Sequence, residues 1–308
     1  MKKICLFLTS LLACSALWAN NLPAIKIIVP YPVGGPGDTL GRIVQQSLIK
    51  ELNVAVVVEN RPGGGATIGT VHALNNTKDP TLILHNTSIV FSTFKNPQPY
   101  SEKQLIPVTY LGRVPWILVA KNKFDVYNLS TLRNYNKPIM FGTAGIATAG
   151  HMAMENLNMT LKRDLVMVPY KGNAPIVTDL IGGHVDMSFL MATVANLAHI
   201  QNKDFVAIAV DSNSRLPVLK NVPTFEETGI KLQSNLNWFA LFRGGVWQEN
   251  QLQQVQTAMV RIMSDPKLSQ PYRDFGLIWN QSETLPSANF VEKERQSLAP
   301  MVKKIPLE

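Results

Sequence analysis

Ile25 to Val29 is a short apolar run, and the segment after it, Pro30-Tyr31-Pro32-Val33-Gly34-Gly35-Pro36-Gly37, cannot extend it as a strand. Proline offers no ladder donor, and glycine weakens an extended chain. From Asp38 the apolar residues Leu40, Ile43, Val44, Leu48 and Leu52 recur at helical spacing, with Asp38 where an N-cap belongs. Ala55 to Val58 is the next apolar run. Strand, loop, helix and strand in succession make a βαβ unit, which commits this part of the chain to a parallel sheet covered by helices.

The same alternation continues. Pro62-Gly63-Gly64-Gly65 breaks the chain before a helix through His72, and Thr81 to Leu84 reads as a third strand. The chain turns polar around Phe124 to Asn136, and a second set of units follows. It comprises strand 138–141, loop 142–148, helix 149–158, strand 165–168, loop 169–173, helix 175–181, and strands 184–190 and 205–210. After Pro217 to Gly229 come an extended Trp238 to Phe242 and a helix with Leu252, Val255, Met259 and Ile262 on one face, a tail that could complete either sheet. The expected fold class is α/β, with two sheets flanked by helices.

Composition excludes several alternatives. The chain has 308 residues, 46% of them hydrophobic and 16% charged, so it is neither a disordered nor a collagen-like polymer. The formal charge of +8 reflects few acids rather than dense basic clusters, and the scattered cations argue against nucleic-acid binding.

Met1 to Ala19 reads as a secretory signal peptide: Lys2 and Lys3, an apolar run, then small residues before Asn20. The run falls short of the roughly 20 residues that span a bilayer. Cleavage after Ala19 removes two lysines and no acid, taking the formal charge from +8 to +6, and removes both cysteines, Cys5 and Cys14. Disulfide, zinc-thiolate and thiol chemistry are then excluded from the mature chain. Leu11-Leu12-Ala13-Cys14 also resembles a lipoprotein cleavage box, which would tether the protein through Cys14.

Two loops draw attention as binding sites. Tyr31 to Asp38 and Gly142 to Thr148 each leave a strand's carboxyl end and enter a helix, where open α/β sheets bind ligands. Backbone amides freed by glycine, together with the positive end of the helix dipole, suit an anion such as a carboxylate. Thr143 and Thr148 add hydroxyl donors, and Tyr31 adds an apolar wall with a polar tip. Asp38 beside an anion site must face away, which fits an N-cap role. Lys171, in Tyr170-Lys171-Gly172-Asn173, either offsets ligand charge or is simply solvated. Asp186, within an apolar strand, is either a ligand-contacting or hinge group or a satisfied structural acid. His151 falls in the first turn of the helix after the second loop, and the other histidines read as structural. Nucleophile-elbow, zinc-peptidase and P-loop patterns are absent, and Ile68 spoils the dinucleotide spacing of the glycine run.

Several segments together resemble a known family. Pro30-Tyr31-Pro32-Val33-Gly34-Gly35 with Asp38, Val57-Val58-Glu59-Asn60-Arg61-Pro62-Gly63, Phe141-Gly142-Thr143-Ala144-Gly145 and Val168-Pro169-Tyr170-Lys171-Gly172 carry the likeness. Asp179 to Asp186 and Val222-Pro223-Thr224-Phe225 continue it. In this order they resemble the Bug-type substrate-binding receptors of tripartite tricarboxylate transporters, over nearly the whole chain from Ile25.

The resemblance implies a two-lobed periplasmic binding protein of type II, with each lobe a mixed sheet and a hinge between them. Lobe 1 would hold residues 20–122 and 229–308, and lobe 2 residues 123–228. It implies a small organic acid bound in the interlobe cleft and delivered to the transporter's membrane subunits, by a periplasmic monomer without catalysis, cofactor or metal. The ligand residues it implies are Tyr31, Pro32, Gly34, Gly35 and Asp38 from the first loop, and Gly142, Thr143, Ala144, Gly145, Thr148 and His151 from the second. Asn86 and Ser88 of His85-Asn86-Thr87-Ser88, with Tyr170, Lys171 and Asp186, would line the rest. Lys78-Asp79-Pro80-Thr81 and Gly244-Gly245-Val246-Trp247 depart from the family's pattern and leave the ligand's identity open. A ligand sensor for a membrane signalling partner and an exported hydrolase are the alternative readings.

Overall fold

The computed structural model describes residues 22–97, 99–232 and 237–305, so the leader and Cys14 lie outside it. In chain order the first half comprises β1 (Ile25–Val29), α1 (Pro36–Leu52), β2 (Val56–Asn60), α2 (Thr67–Leu74), β3 (Pro80–Asn86), α3 (Ser88–Phe91) and β4 (Pro107–Arg113). The middle comprises β5 (Trp116–Lys121), α4 (Leu129–Asn134), β6 (Ile139–Thr143), α5 (Ala149–Leu161), β7 (Leu165–Pro169), α6 (Asn173–Gly182), β8 (Met187–Met191), α7 (Val194–Gln201) and β9 (Phe205–Asp211). The chain closes with β10 (Trp238–Gly245), α8 (Glu249–Ser264), α9 (Gln270–Phe275) and α10 (Phe290–Val302).

Two mixed sheets result, ordered β2-β1-β3-β10-β4 and β7-β6-β8-β5-β9. Each has three parallel strands built from βαβ units and one antiparallel strand that arrives directly from the other half of the chain. The extended Trp238 to Phe242 thus completes the first sheet, next to β3. No helix among the described residues is long and apolar enough to cross a membrane.

The expected boundary at 122 falls too late for the sheets. The chain leaves the first sheet at Arg113 and enters the second at Trp116, so 116–121 pairs with β8 and β9. Gly112 at φ 122° and Pro115 break an otherwise continuous apolar stretch, which conceals two strands, β4 and β5. The return crossing between β9 and β10 lies against the first: Val114 N–H donates to the Asn237 carbonyl at 3.1 Å, and the Asn237 amide donates to the Val114 carbonyl at 2.9 Å.

Helix α1 seats the first loop. Its Leu40, Val44 and Leu48 are fully buried, each such side chain contributing about 1.5–3 kcal/mol. Gly41 lets it lie on the sheet, since a Cβ there would stand 2.7 Å from Val29 Cγ2. The apolar face of α8 covers α1 and β4, with Leu252, Val255, Met259 and Ile262 buried, so the C-terminal segment belongs with the first sheet. Helix α1 begins at Pro36, two residues before the predicted start, with Gly35 as N-cap. Asp38 therefore sits in the first turn rather than at the cap.

At the end of β9, burial pushes the Asp211 carboxyl up to about 6, with Arg113 opposing the shift. An acid raised in the folded state favours folding at pH values below its unfolded value and loses that contribution as pH climbs through about 6. Asp211→Asn is expected to raise stability at pH 8 by roughly 1–3 kcal/mol and to leave it nearly unchanged at pH 4. Urea unfolding at the two pH values measures the difference; equal effects at both would refute the assignment.

Candidate functional site

The parallel strands of both sheets end on facing sides. Between them lies a cavity lined by Tyr31, Pro32, Gly35, Pro36 and Gly37 after β1, by Asn86 and Ser88 after β3, and by Ala144, Thr148, Ala149 and Gly150 after β6. Asn173 of α6, Trp116, Met191 and Phe239 complete it. Its volume is about 30 Å³. One water needs roughly 10–15 Å³ on this scale, so the cavity has room for a few waters.

Tyr31 anchors the first loop. Its hydroxyl donates to Asn86 Oδ1 at 2.6 Å and lies 3.0 Å from His85 Nδ1, and its burial raises the phenol's pKa. Gly37 exists to admit that ring: a Cβ there would stand 2.4 Å from Tyr31 Cδ2. Asp38 is buried and accepts from Gly34 N–H at 3.0 Å, with Arg42 paired to it at 3.0 Å. Burial alone would raise its pKa, but the Gly34 amide and Arg42 outweigh it and hold the carboxyl below its usual range. Asp38 thus braces the loop from behind and lines no part of the cavity. Proline has no N–H, which leaves the amides of Gly37 and Asp38 as first-turn donors without an intrahelical acceptor.

The second loop is built differently. Thr148 is the N-cap of α5, accepting from His151 N–H at 3.3 Å and donating to the Gly145 carbonyl at 2.7 Å. Ala149 N–H donates across the lobes to Ser88 Oγ at 2.9 Å. That leaves Gly150, which lines the cavity, with the first-turn amide not taken by either bond. His151 Nδ1 accepts from Ala147 N–H at 3.2 Å, and burial, with Lys95 nearby, lowers its pKa to about 4. A neutral His151 thereby pins the backbone at Ala147, whose φ is 57°, and does not itself line the cavity.

The structure brings most of the predicted residues together, but not all. Thr143, Gly142 and Gly145 shape the second loop from beneath: Thr143 is buried, Gly145 N–H reaches its hydroxyl at 3.4 Å, and Gly142 packs against the Tyr170 ring. Gly34 faces a neighbouring groove of about 620 Å³ instead of the cavity. The Tyr170 hydroxyl donates to Asp179 at 2.5 Å, and Lys171 is exposed; neither lines the cavity. Asp186 stands at the opposite end of the second sheet, pairing with Lys121 at 2.7 Å and accepting from Met140 N–H at 2.7 Å. It is paired on both sides and lines no part of the cavity.

Trp116, Met191 and Phe239 went unpredicted. Trp116 opens β5 opposite Met191, the last residue of β8, and Phe239 pairs with Asn86, the last residue of β3. An antiparallel strand entering beside a parallel one puts its first residues at the neighbour's carboxyl end. The apolar run 238–242 carried that signal, but only with its sheet assigned.

A family model described as "Tripartite tricarboxylate transporter family receptor" matches residues 40–307. The chain belongs to that family. The receptor is 32% identical to BugT of Bordetella pertussis over 236 residues, covering 72% of each chain. Its structure is similar to that of the periplasmic binding protein BugD, with a TM-score of 0.83 and 28% identity over 93% of this chain and 98% of that one. MatC from Rhodopseudomonas palustris, solved with bound malate, has the same fold, with a TM-score of 0.83 and 24% identity over 92% of this chain and 99% of that one. Membership of a receptor family, with the fold of a periplasmic binding protein, makes this chain a solute-binding protein and not an enzyme.

The receptor's lobes meet through glycines. A Cβ on Gly172 would stand 2.4 Å from Pro32 Cδ, and one on Gly65 would stand 2.6 Å from the Ile146 carbonyl oxygen. Gly172→Val is expected to wedge the lobes apart, increasing the radius of gyration in small-angle scattering and weakening ligand binding about tenfold or more. The melting temperature should move by only a few degrees. An unchanged scattering curve would refute the close approach.

Proposed function

We propose that this receptor captures a small carboxylate in the cavity between its lobes and delivers it to the membrane subunits of a tripartite tricarboxylate-type transporter. The observation that carries this reading is the pair of facing helix starts, α1 from one lobe and α5 from the other, with Gly37 and Gly150 lining one cavity. Each helix start presents about half a positive charge together with unpaired N–H groups. Ser88 Oγ already takes one α5 amide, as an oxygen of the ligand would take its neighbour.

In this reading the ligand residues are Tyr31, Pro32, Gly35, Asn86, Ser88, Ala144 and Thr148, while Asp38, Thr143, Gly145 and His151 hold the loops in shape. The lobes are the two sheets with their helices, and the two crossings, near Val114 and Asn237, are the hinge. Ligand that touches both lobes favours the closed form over the open one, and that shift is what the membrane subunits read. The protein acts as a periplasmic monomer, reached through a cleaved leader. Family membership and the malate bound by MatC support a carboxylate as the cargo.

A thermal-shift panel of mono-, di- and tricarboxylates tests the reading, because a guest that binds only the folded form raises the melting temperature. Ala144→Phe fills the cavity wall and is expected to weaken binding of the best guest by about 100-fold with the fold intact. Unchanged affinity in calorimetry would place the site elsewhere.

A further inference from the structure

The receptor reading fixes one end of the ligand; the apolar wall fixes the rest. We infer that the cleft selects a monocarboxylate with an apolar body and discriminates against di- and tricarboxylates. This rests on the reading that helix-start amides hold the first carboxylate.

Two facing helix starts, at about half a charge each, together offset about one elementary charge. Asp38, in the first turn of α1, already sits at the first of them, and Arg42 offsets that acid. The lining also includes an indole, a thioether and a phenyl ring, those of Trp116, Met191 and Phe239, at the strand ends next to β3 and β8. Among the described residues that line the cavity there is no lysine, arginine or histidine. His85, His151, Lys95 and Lys171 do not supply a cation to that lining either. Burial lowers the pKa of His85 to about 3, and burial with Lys95 lowers that of His151 to about 4, so both are neutral at pH 7. Lys95 Nζ donates to the Gly64 carbonyl at 3.1 Å, and Lys171 is exposed outside the lining.

A second carboxylate would therefore be buried against apolar carbon with no ionic partner. The Trp116 indole N–H has no hydrogen-bond partner in its buried position, but it is a single neutral donor. An unpartnered buried charge costs more than a neutral polar group, which corresponds to discrimination on the order of 100-fold. Burying a hydrocarbon body on the same wall is favourable. The wall's chemistry decides the class of ligand, and how far the lobes part decides its size.

The test is calorimetry on the purified receptor with matched pairs, hexanoate against adipate and benzoate against terephthalate, plus the neutral amides hexanamide and benzamide. At least one monoacid is expected to bind roughly 100-fold tighter than its diacid. A diacid that binds as tightly as its monoacid, or tighter, overturns this inference and leaves the receptor reading standing. An amide that binds as well as the acid, or no binding of any carboxylate, overturns the receptor reading along with it. Met191→Lys, which adds an ammonium to the wall, should shift the monoacid-to-diacid ratio at least tenfold toward the diacid, whereas Met191→Leu should keep it. A folded Met191→Lys protein with an unchanged ratio would also overturn the assignment of the wall. Should Met191→Lys fail to fold, the wild-type ratio decides alone.

Discussion

The exchange of one antiparallel strand between the two halves of the chain is the constraint on which the rest depends. β5 arrives in the second sheet from the first half, and β10 arrives in the first sheet from the C-terminal part. Each sheet therefore carries the same plan: three parallel strands, the exchanged strand, and an outer strand beyond it. Because both crossings lie side by side and bond to each other, the carboxyl ends of both parallel sets face inward. Without that exchange the two helix starts would belong to separate surfaces.

The electrostatics of the cleft follow from backbone more than from side chains. The charged and titratable groups close to it are withdrawn: Asp38 is tied to Gly34 and Arg42, His151 holds a strained alanine, and His85 is buried against Asn86. What remains exposed to a guest is a set of amides and hydroxyls together with hydrocarbon. In the proposed reading such a site recognises an anion by oriented dipoles, which need no reorganisation when the guest arrives.

Much of this was legible from residue patterns. The loops after Val29 and Phe141 announced themselves through prolines and glycines, and the apolar spacing of α1, α5 and α8 located the helices. The limits had physical causes. β4 and β5 merge into one apolar stretch because buried strands show no alternation, so the crossing at Val114 was hidden. Asp38 stood near enough to a helix start to pass for its cap, yet the helix begins at a proline, which sequence spacing places only to within a residue or two. Asp186 looked poised for function because its partner, Lys121, is remote in sequence and adjacent only across the sheet. Trp116 and Phe239 could not be assigned to the cleft until pairing placed them beside Met191 and Asn86.

The glycine contacts at Gly65 and Gly172 have a further consequence. Where the lobes touch at Gly65 and Gly172, the contact runs through the Ile146 carbonyl and the Pro32 ring, so one residue of the proposed ligand set also belongs to the seam. Trp116, Met191 and Phe239 make none of these glycine contacts, so exchanging them leaves both close approaches in place. On the proposed reading, the wall that meets the guest and most of the seam that joins the lobes are thus built from different residues.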